Sequence, residues 1–317
     1  MRLLTYGIGA KTRLGIEVVD RVVDLPGGYA ALPEQARGEG TMPPPNDMLA
    51  LLQAGEPALA GAAAVAGFFT ERLRAGAQVA GPAGEQVVYD RGEVRILAPV
   101  ARPPKIFCLG RNYADHVAEV GGELPKSPEI FSKMATAIIG PGDPIILPPP
   151  RIASQIDYEG EFAFVIGKRG KYIPRERALD HVVGYTMLND VSARDIQFSE
   201  TQLLRAKSFD TFAPTGPYIV TKDEIPDPHA LDIKLWLNGQ LMQSSNTKQL
   251  IFGVDYLVSY LSDVFTLEPG DIVSTGTPSG PGYFRKPQVL LRPGDVVRIE
   301  VTNLGVLENP VAQEPHA

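Results

Sequence analysis

Residues 156–166 form an apolar run headed by two glutamates and have the sequence IDYEGEFAFVI. The run predicts a buried strand, and strand alternation places Glu159 and Glu161 on one face, roughly 7 Å apart at their Cα atoms. Two neighbouring carboxylates beside a buried run repel each other unless a cation joins them. A hard divalent cation, which takes oxygen ligands, would supply that compensation. The alternative is a solvated strand end with two surface acids.

Short apolar runs bounded by turn residues predict that the rest of the chain is mainly β. Further strands are expected over 144–147, 182–188, 231–237, 271–274 and 296–301. Asn238-Gly239, between two alternating runs, predicts a two-residue hairpin. Pro-Gly at 269–270 and again at 293–294 suits a type II turn before a strand. Helices should be few, with one from Val254 to about Asp263.

The chain also suggests two domains. Strands are predicted over 14–19 and 21–25 and helical sequence over 46–76, which together make a small N-terminal α+β domain of residues 1–97. The following stretch, with three prolines in residues 97–104, disfavours both helix and strand. We therefore place a boundary there, with the second domain spanning residues 98–317.

Composition excludes several classes of partner. The net charge is −7, with no run of Lys and Arg able to follow a phosphate backbone, so nucleic acid is not expected. The longest uncharged stretch, 57–69, is shorter than the roughly 20 residues of a membrane span, and the N-terminus has no sustained apolar segment. The single cysteine, Cys108, fits a buried strand position and a reducing compartment. A cytoplasmic location is expected.

Two further places in the sequence hold candidate site residues. Asp190 ends the apolar run 182–188, although an isolated aspartate there would more often be a helix cap or a turn residue. His116 and Glu119 are three apart in a helical segment, so the carboxylate can orient the imidazole and raise its basicity. Such a pair suits water activation, whereas an exposed helix is the alternative.

Four motifs in fixed order carry a resemblance to a known family. They are the Glu-x-Glu strand, the segment NDVSARD at 189–195, KSFD at 207–210 and TGTP at 275–278. In this order they resemble the fumarylacetoacetate hydrolase family from about residue 105 to residue 310. The resemblance implies a mainly β (α+β) fold, with a mixed β-sandwich or β-roll catalytic domain and a small N-terminal α+β domain.

The resemblance also implies roles for individual residues. Glu159, Glu161 and Asp190 match acids that hold Mg²⁺ or Mn²⁺ in this family. Lys207 matches its active-site lysine, the alternative being a surface lysine.

Other matching positions lie around the substrate or on a lid. Arg194 and Gln197 match polar side chains near the substrate, although Arg194 could equally pair with Asp195 or a neighbouring acid. Gly276 and Thr277 match a loop that contacts bound oxo acids. His116 and Glu119 match a dyad on a mobile lid. We expect this lid to span residues 112–122, with Gly121-Gly122 either as its hinge or as a plain loop.

The function expected from this resemblance is hydrolysis of a C–C bond in an acylpyruvate-type 2-oxo acid such as fumarylpyruvate. The reaction would use a metal-stabilised enolate and water activated by His116 and Glu119. The same site would serve a tautomerase or isomerase of hydroxymuconate-type diacids, or an oxaloacetate decarboxylase. A non-catalytic binder that kept the fold is a third alternative. Family members usually form homodimers, so a homodimer is expected.

Overall fold

The computed structural model describes residues 1–314. Its strands are β1 (Arg2–Ile8), β2 (Lys11–Val18), β3 (Arg21–Asp24), β4 (Val88–Asp90), β5 (Arg95–Leu97), β6 (Ile106–Gly110), β7 (Glu129–Ser132), β8 (Ile138–Ile139), β9 (Ile145–Leu147), β10 (Ile156–Asp157), β11 (Gly160–Ile166), β12 (Val182–Asn189), β13 (Ser192–Ala193), β14 (Ala213–Thr221), β15 (Asp232–Leu237), β16 (Gln240–Asn246), β17 (Ile272–Ser274), β18 (Val296–Val301) and β19 (Gly305–Gln313). Its α-helices are α1 (Leu25–Ala30), α2 (Glu34–Arg37), α3 (Met48–Ala54), α4 (Glu56–Arg74), α5 (Ala114–Val120), α6 (Arg194–Ser199), α7 (Leu204–Lys207) and α8 (Val254–Val264).

One large mixed sheet organises the molecule. It contains twelve strands, with a main path in the order β4-β3-β2-β1-β14-β12-β11-β17-β6-β7, and β5 and β8 pair with β1 and β14. A second sheet of five strands has the order β16-β15-β18-β19-β9, and β10 pairs with β13. The pairs β6–β17 and β9–β19 are parallel, while β11 is antiparallel to both of its neighbours. The predicted mainly β fold with mixed sheets is confirmed.

Local turn chemistry accounts for the hairpins and strand entries. Asn238 and Gly239 have φ values of 51° and 80° and join β15 to β16, as a two-residue hairpin of type I′ requires. Gly270 and Gly294 both have φ of 93°, and each follows a proline just before β17 or β18. The predicted hairpin and both predicted turns are therefore confirmed.

The faces of β11 belong to two layers of the core. Phe162 clusters with Leu235 of the five-stranded sheet, whereas Ala163, on the opposite face, clusters with Val65 of α4. Cys108 on β6 is fully buried in this second cluster, as predicted. The central sheet is thus covered by a sheet on one side and by helices on the other.

The N-terminal segment extends the central sheet and shares its core. Strand β1 pairs directly with β14, and one cluster contains Leu14 and Phe69 together with Val165 and Ile272. A sheet must bury its apolar face against another layer. Here the helices of residues 1–97 cover strands from both the N-terminal segment and the rest of the chain. Residues 1–97 therefore have no core of their own, and the boundary at 97/98 stays a prediction.

Helices α3 and α4 occupy the predicted helical stretch 46–76, with a bend of 117° between them. The bend follows from Gly55, which has φ of 72°. Along α4 the buried residues Ala58, Ala62, Val65 and Phe69 recur at helical spacing and form one apolar face. No single helix within residues 1–314 is long and apolar enough to cross a membrane; α3 and α4 together pass that test by length and composition only.

Candidate metal centre

Three carboxylates meet where β11 begins and β12 ends. The two strands are antiparallel neighbours with Gly160 opposite Asn189. Glu159, just before β11, therefore lies beside Asp190, just after β12, and the N–H of Asp190 donates to the carbonyl of Glu159 at 2.8 Å. One oxygen from each of Glu159, Glu161 and Asp190 lies within 4.8 Å of the other two. The predicted convergence of the three acids is therefore present.

These acids are buried. Glu159, Glu161 and Asp190 have exposed fractions of 5%, 1% and 0%. The alternative of a solvated strand end with surface acids is therefore wrong. Asp190 is also not a helix cap, because each of its side-chain oxygens accepts a hydrogen bond from a buried lysine. Removing three carboxylates from water costs free energy, so the site requires compensating positive charge.

Two lysines supply part of that charge. Lys207 Nζ donates to Glu159 Oε2 at 2.6 Å and to Asp190 Oδ2 at 2.7 Å. Lys133 Nζ donates to the other oxygen of Asp190 at 2.6 Å. Burial opposes the charge on Lys207, but the carboxylates of Asp190 and Glu159 outweigh it and raise its pKa. Lys207 is thus a buried ammonium in the acid cluster and not a surface lysine.

Arg194 holds the remaining oxygen of Glu159. Its Nη2 donates to Glu159 Oε1 at 2.6 Å and to Asp157 Oδ2 at 2.7 Å, and its Nη1 donates to Gln197 Oε1 at 2.9 Å. Arg194 therefore pairs with two neighbouring acids, the structural alternative considered above, and not with Asp195. The pairing fixes the Glu159 carboxylate between a guanidinium and an ammonium.

Glu161 differs from the other two acids, because it has no ion pair within residues 1–314. Its Oε2 accepts hydrogen bonds from Ser274 Oγ at 2.6 Å and from the N–H of Gly276 at 2.9 Å. Burial, together with the charges of Asp190 and Glu159, raises the pKa of Glu161 well above its usual value. Glu161 is thus a buried carboxylate without a cationic partner among the described residues, as expected of a metal ligand.

The donor set fits a divalent cation. In the described part of the chain, four carboxylates of this cluster (Asp157, Glu159, Glu161 and Asp190) face three cationic side chains (Lys133, Arg194 and Lys207). Fully ionised, the cluster carries one excess negative charge. All three candidate ligands offer hard oxygen atoms, which suit Mg²⁺ or Mn²⁺ rather than a soft metal.

The predicted dyad forms on helix α5. His116 Nδ1 lies 3.1 Å from Glu119 Oε2, and the N–H of Gly280 donates to both oxygens of Glu119, at 3.0 and 3.1 Å. The imidazole is buried and meets the ring of Phe284 edge-on, with centroids 5.5 Å apart. The alternative of an exposed helix is therefore wrong for His116 and Val117, although Ala118 and Glu119 on the same helix are exposed. Because Nδ1 faces a carboxylate, Nε2 is the ring nitrogen left to exchange a proton.

The first residues of the predicted lid are firmly anchored. The Asn112 side chain donates to the carbonyls of Phe252 and Thr275, at 3.2 and 2.8 Å, and accepts from the N–H of Phe252 at 2.9 Å. Tyr113 is completely buried. The first two residues of the expected lid, Asn112 and Tyr113, are therefore held by contacts with distant segments of the chain. A movable part would begin with α5.

A cavity of about 450 Å³ brings most of the predicted residues together. The predicted residues that line it are His116, Glu159, Glu161, Asp190, Arg194, Gln197, Lys207 and Thr277. Glu119 and Gly276 do not line it. Glu119 holds His116 and Gly276 holds Glu161, so each acts through a neighbour.

Sequence reasoning missed two charged members of the cluster, Lys133 and Asp157. Asp157 accepts from Arg194 and from the N–H groups of Gly282 and Tyr283. It lies in the quoted strand segment, so its position beside Glu159 was the available signal. Lys133 follows an edge strand, and nothing in the sequence around it distinguishes it from a surface lysine.

The mixed-sheet fold carries a buried cluster of carboxylates and lysines whose three candidate ligands all offer oxygen atoms. These features define the class of protein as one with a divalent-cation site. The family model for the fumarylacetoacetate (FAA) hydrolase C-terminal domain matches residues 105–312. The chain belongs to the fumarylacetoacetate hydrolase family.

Individual relatives differ in their activities. An oxaloacetate tautomerase of Xenopus laevis (fahd2, mitochondrial) is 51% identical over 228 residues, 71% of each chain. A fumarylacetoacetate hydrolase from Exiguobacterium antarcticum has a TM-score of 0.79 at 32% identity, covering 99% of this chain and all of that one. A maleylpyruvate hydrolase from Sphingobium sp. SYK-6, in complex with a manganese(II) ion and pyruvate, has a TM-score of 0.74 at 30% identity and the same coverage.

Proposed function

We propose that this protein is a divalent-metal-dependent tautomerase of oxaloacetate or a similar 2-oxo diacid. The observation that carries the proposal is the 51% identity to an oxaloacetate tautomerase over 71% of this chain; the two hydrolases are 32% and 30% identical over 99% of it. This identity supports the enolate chemistry of the expected alternatives, a tautomerase or isomerase of hydroxymuconate-type diacids or an oxaloacetate decarboxylase, over C–C bond hydrolysis. The acid cluster, the two lysines and the dyad are chemically sufficient for it.

Glu159, Glu161 and Asp190 would hold Mg²⁺ or Mn²⁺. When bound, such an ion would neutralise the excess negative charge of the cluster and polarise the oxygens of a 2-oxo acid. The cavity beside these acids is large enough for a four-carbon diacid. Its lining includes both the His116 ring and the Lys207 ammonium.

In the proposed proton shift, the His116–Glu119 dyad and Lys207 have different roles. His116 Nε2 accepts the proton from C3 of the keto acid while Glu119 holds the other ring nitrogen. The Lys207 ammonium stabilises the negative charge that develops on the 2-oxo oxygen. Return of a proton to that oxygen gives the enol, and return to C3 gives the keto form. One proton moves, and neither water nor an oxidant is consumed.

Hydrolysis of an acylpyruvate is a second candidate, favoured by the dyad itself. A buried imidazole oriented by a carboxylate can equally take a proton from water. Decarboxylation of oxaloacetate would pass through the same type of enolate. The three reactions differ in product: the other tautomer of the same acid, pyruvate plus a carboxylic acid, or pyruvate plus carbon dioxide.

The test follows decay of enol oxaloacetate absorbance with Mg²⁺ or Mn²⁺, alongside pyruvate release from oxaloacetate and from fumarylpyruvate. We expect metal-dependent tautomerisation to dominate and to vanish with chelator. His116→Ala should lower tautomerisation steeply, by about 10²-fold or more, without weakening metal binding. Rapid cleavage of fumarylpyruvate with no acceleration of oxaloacetate tautomerisation would replace the proposal with the hydrolase.

A further inference from the structure

Arg111 occupies an unusual position on the cavity wall. It lines the cavity and has a φ of 48°, in the left-handed region that non-glycine residues rarely adopt. Its neighbour Asn112 is fixed by the three hydrogen bonds described above, which hold the backbone in this conformation. Strain of this kind persists only where surrounding structure enforces it, and it concentrates at ligand sites.

Arg111 is also the exchangeable cation of the cavity. Of the Lys and Arg side chains that line it in residues 1–314, Arg194 and Lys207 are committed to buried ion pairs. The Arg111 guanidinium instead pairs with Glu129, through Nε at 3.1 and 3.0 Å and through Nη2. The two side chains are 46% and 43% exposed. An exposed pair of this kind contributes little, so another carboxylate can replace Glu129 at small cost.

The guanidinium lies beside the end of helix α5. A Cβ atom on Gly122 would be 3.6 Å from Arg111 Nη1. Arg111 therefore stands on the cavity wall next to the turn that follows the helix carrying His116. A group bound by Arg111 would lie beside that helix, in the same cavity that the three candidate ligands line.

We propose that Arg111 binds the distal carboxylate of a dicarboxylic 2-oxo acid and so determines selectivity for diacids. This inference rests on the proposed function and adds the residue that recognises the second acid group. A planar guanidinium matches a carboxylate with two parallel hydrogen bonds. Glu129 occupies the guanidinium donors, so it competes with the diacid for them. Arg111 and Glu129 therefore affect diacid binding in opposite directions.

The experiment compares oxaloacetate with pyruvate, which lacks the distal carboxylate. The KM for oxaloacetate and the inhibition constant of pyruvate are measured on metal-loaded Arg111→Gln, Glu129→Gln and the control Arg298→Gln. Arg298 forms a similarly exposed pair with Glu300, at the surface of the five-stranded sheet. We expect Arg111→Gln to raise the KM about 10- to 100-fold and to change the pyruvate constant less than about 3-fold. Glu129→Gln should lower the KM about 2- to 5-fold, and Arg298→Gln should change neither value.

Equal weakening of both ligands by Arg111→Gln, or no effect, would overturn the inference. If Arg111→Gln does not fold, Glu129→Gln decides alone: a lower KM supports the inference, and an unchanged or higher KM rejects it. If the wild type does not tautomerise oxaloacetate, the proposed function fails separately. Calorimetric titration with 2-oxoglutarate and pyruvate then decides the role of Arg111, because a diacid-specific loss in Arg111→Gln needs no turnover.

Discussion

At the scale of single residues, the three candidate ligands are held in different ways. Glu159 and Asp190 each contact two cationic side chains, whereas Glu161 contacts only a hydroxyl and a backbone N–H within the described chain. Substitution of Glu161 by glutamine should therefore raise the stability of the metal-free protein, by about 1 to 3 kcal/mol. It should also remove the stabilisation that Mn²⁺ gives to the wild type.

The matched control for this prediction is Glu159→Gln. It leaves Arg194 and Lys207 short of a partner, so it should destabilise the metal-free protein by about 3 to 5 kcal/mol. Chemical denaturation with and without Mn²⁺ measures both variants. Destabilisation by Glu161→Gln would contradict an uncompensated charge at that position.

The same carboxyl predicts a pH dependence. The unfolded chain releases the Glu161 proton near the usual pKa of about 4.5, whereas the folded metal-free protein retains it to higher pH because burial and two acids raise the pKa. Unfolding is then favoured as pH rises above 4.5, and the stability advantage of Glu161→Gln should grow in that direction.

Under the proposed function, Lys207 supplies a charge that matters most when the enolate forms. Lys207→Met should reduce kcat of the metal-loaded enzyme by about 10²- to 10³-fold, with a smaller effect on KM. Lys105→Met is the control, because Lys105 pairs with Glu268 and Asp271 and does not line the cavity. Steady-state kinetics and thermal unfolding of both variants provide the measurement. A near wild-type kcat for Lys207→Met would show that Lys207 does not stabilise the enolate.

At the scale of elements, helix α5 brings His116 to the cavity wall and is the element that a lid would move. Its acidic residues reach other segments, Asp115 to Ser245 and Glu119 to Gly280, while Asn112 and Tyr113 just before it are locked in the core. Amide exchange across 114–122 should slow when oxalate and Mn²⁺ bind, because the ligand offsets the cost of holding the helix closed. Protection at Asn112 and Tyr113 should be high in both states. Unchanged exchange over 114–122 would exclude a lid.

Elements with local signals were predictable from the sequence. Continuous apolar runs located β11 and β12, which are buried on both faces. The positive φ values at Asn238 and Gly239 follow from the Asn-Gly pair, which a type I′ hairpin favours. The proximity of Glu159 and Glu161 was also within reach, because they are two residues apart at the start of β11, whereas the family resemblance added Asp190. The burial of Lys133 was not, since it depends on a partner 57 positions away. Similarly, the sequence did not identify Arg111 as a candidate ligand-binding residue, because this depends on its pairing with Glu129 and its place on the cavity wall.

At the scale of the whole molecule, the pairing of β1 with β14 was the feature that sequence could not supply. The paired residues are 218 (Arg2 and Val220) and 216 (Leu3 and Ile219) positions apart, and no local pattern encodes such a contact. The proline-rich stretch after residue 97 suggested a division, yet the strands before it continue the same sheet. The proline-rich stretch therefore does not separate two hydrophobic cores.

A shared core predicts how the chain unfolds. Leu14 and Phe69 belong to the same buried cluster as Val165 and Ile272, so loss of the N-terminal layer would expose the face of the central sheet. We expect one calorimetric transition for the metal-free protein, with equal calorimetric and van't Hoff enthalpies. Leu14→Ala should shift that single transition, costing about 2 to 5 kcal/mol, and should accelerate amide exchange in β11 as well as in β2. Leu241→Ala, at a half-exposed position, is the control and should cost far less. Two separate transitions, with β11 unaffected by Leu14→Ala, would instead mean that residues 1–97 unfold as an independent domain.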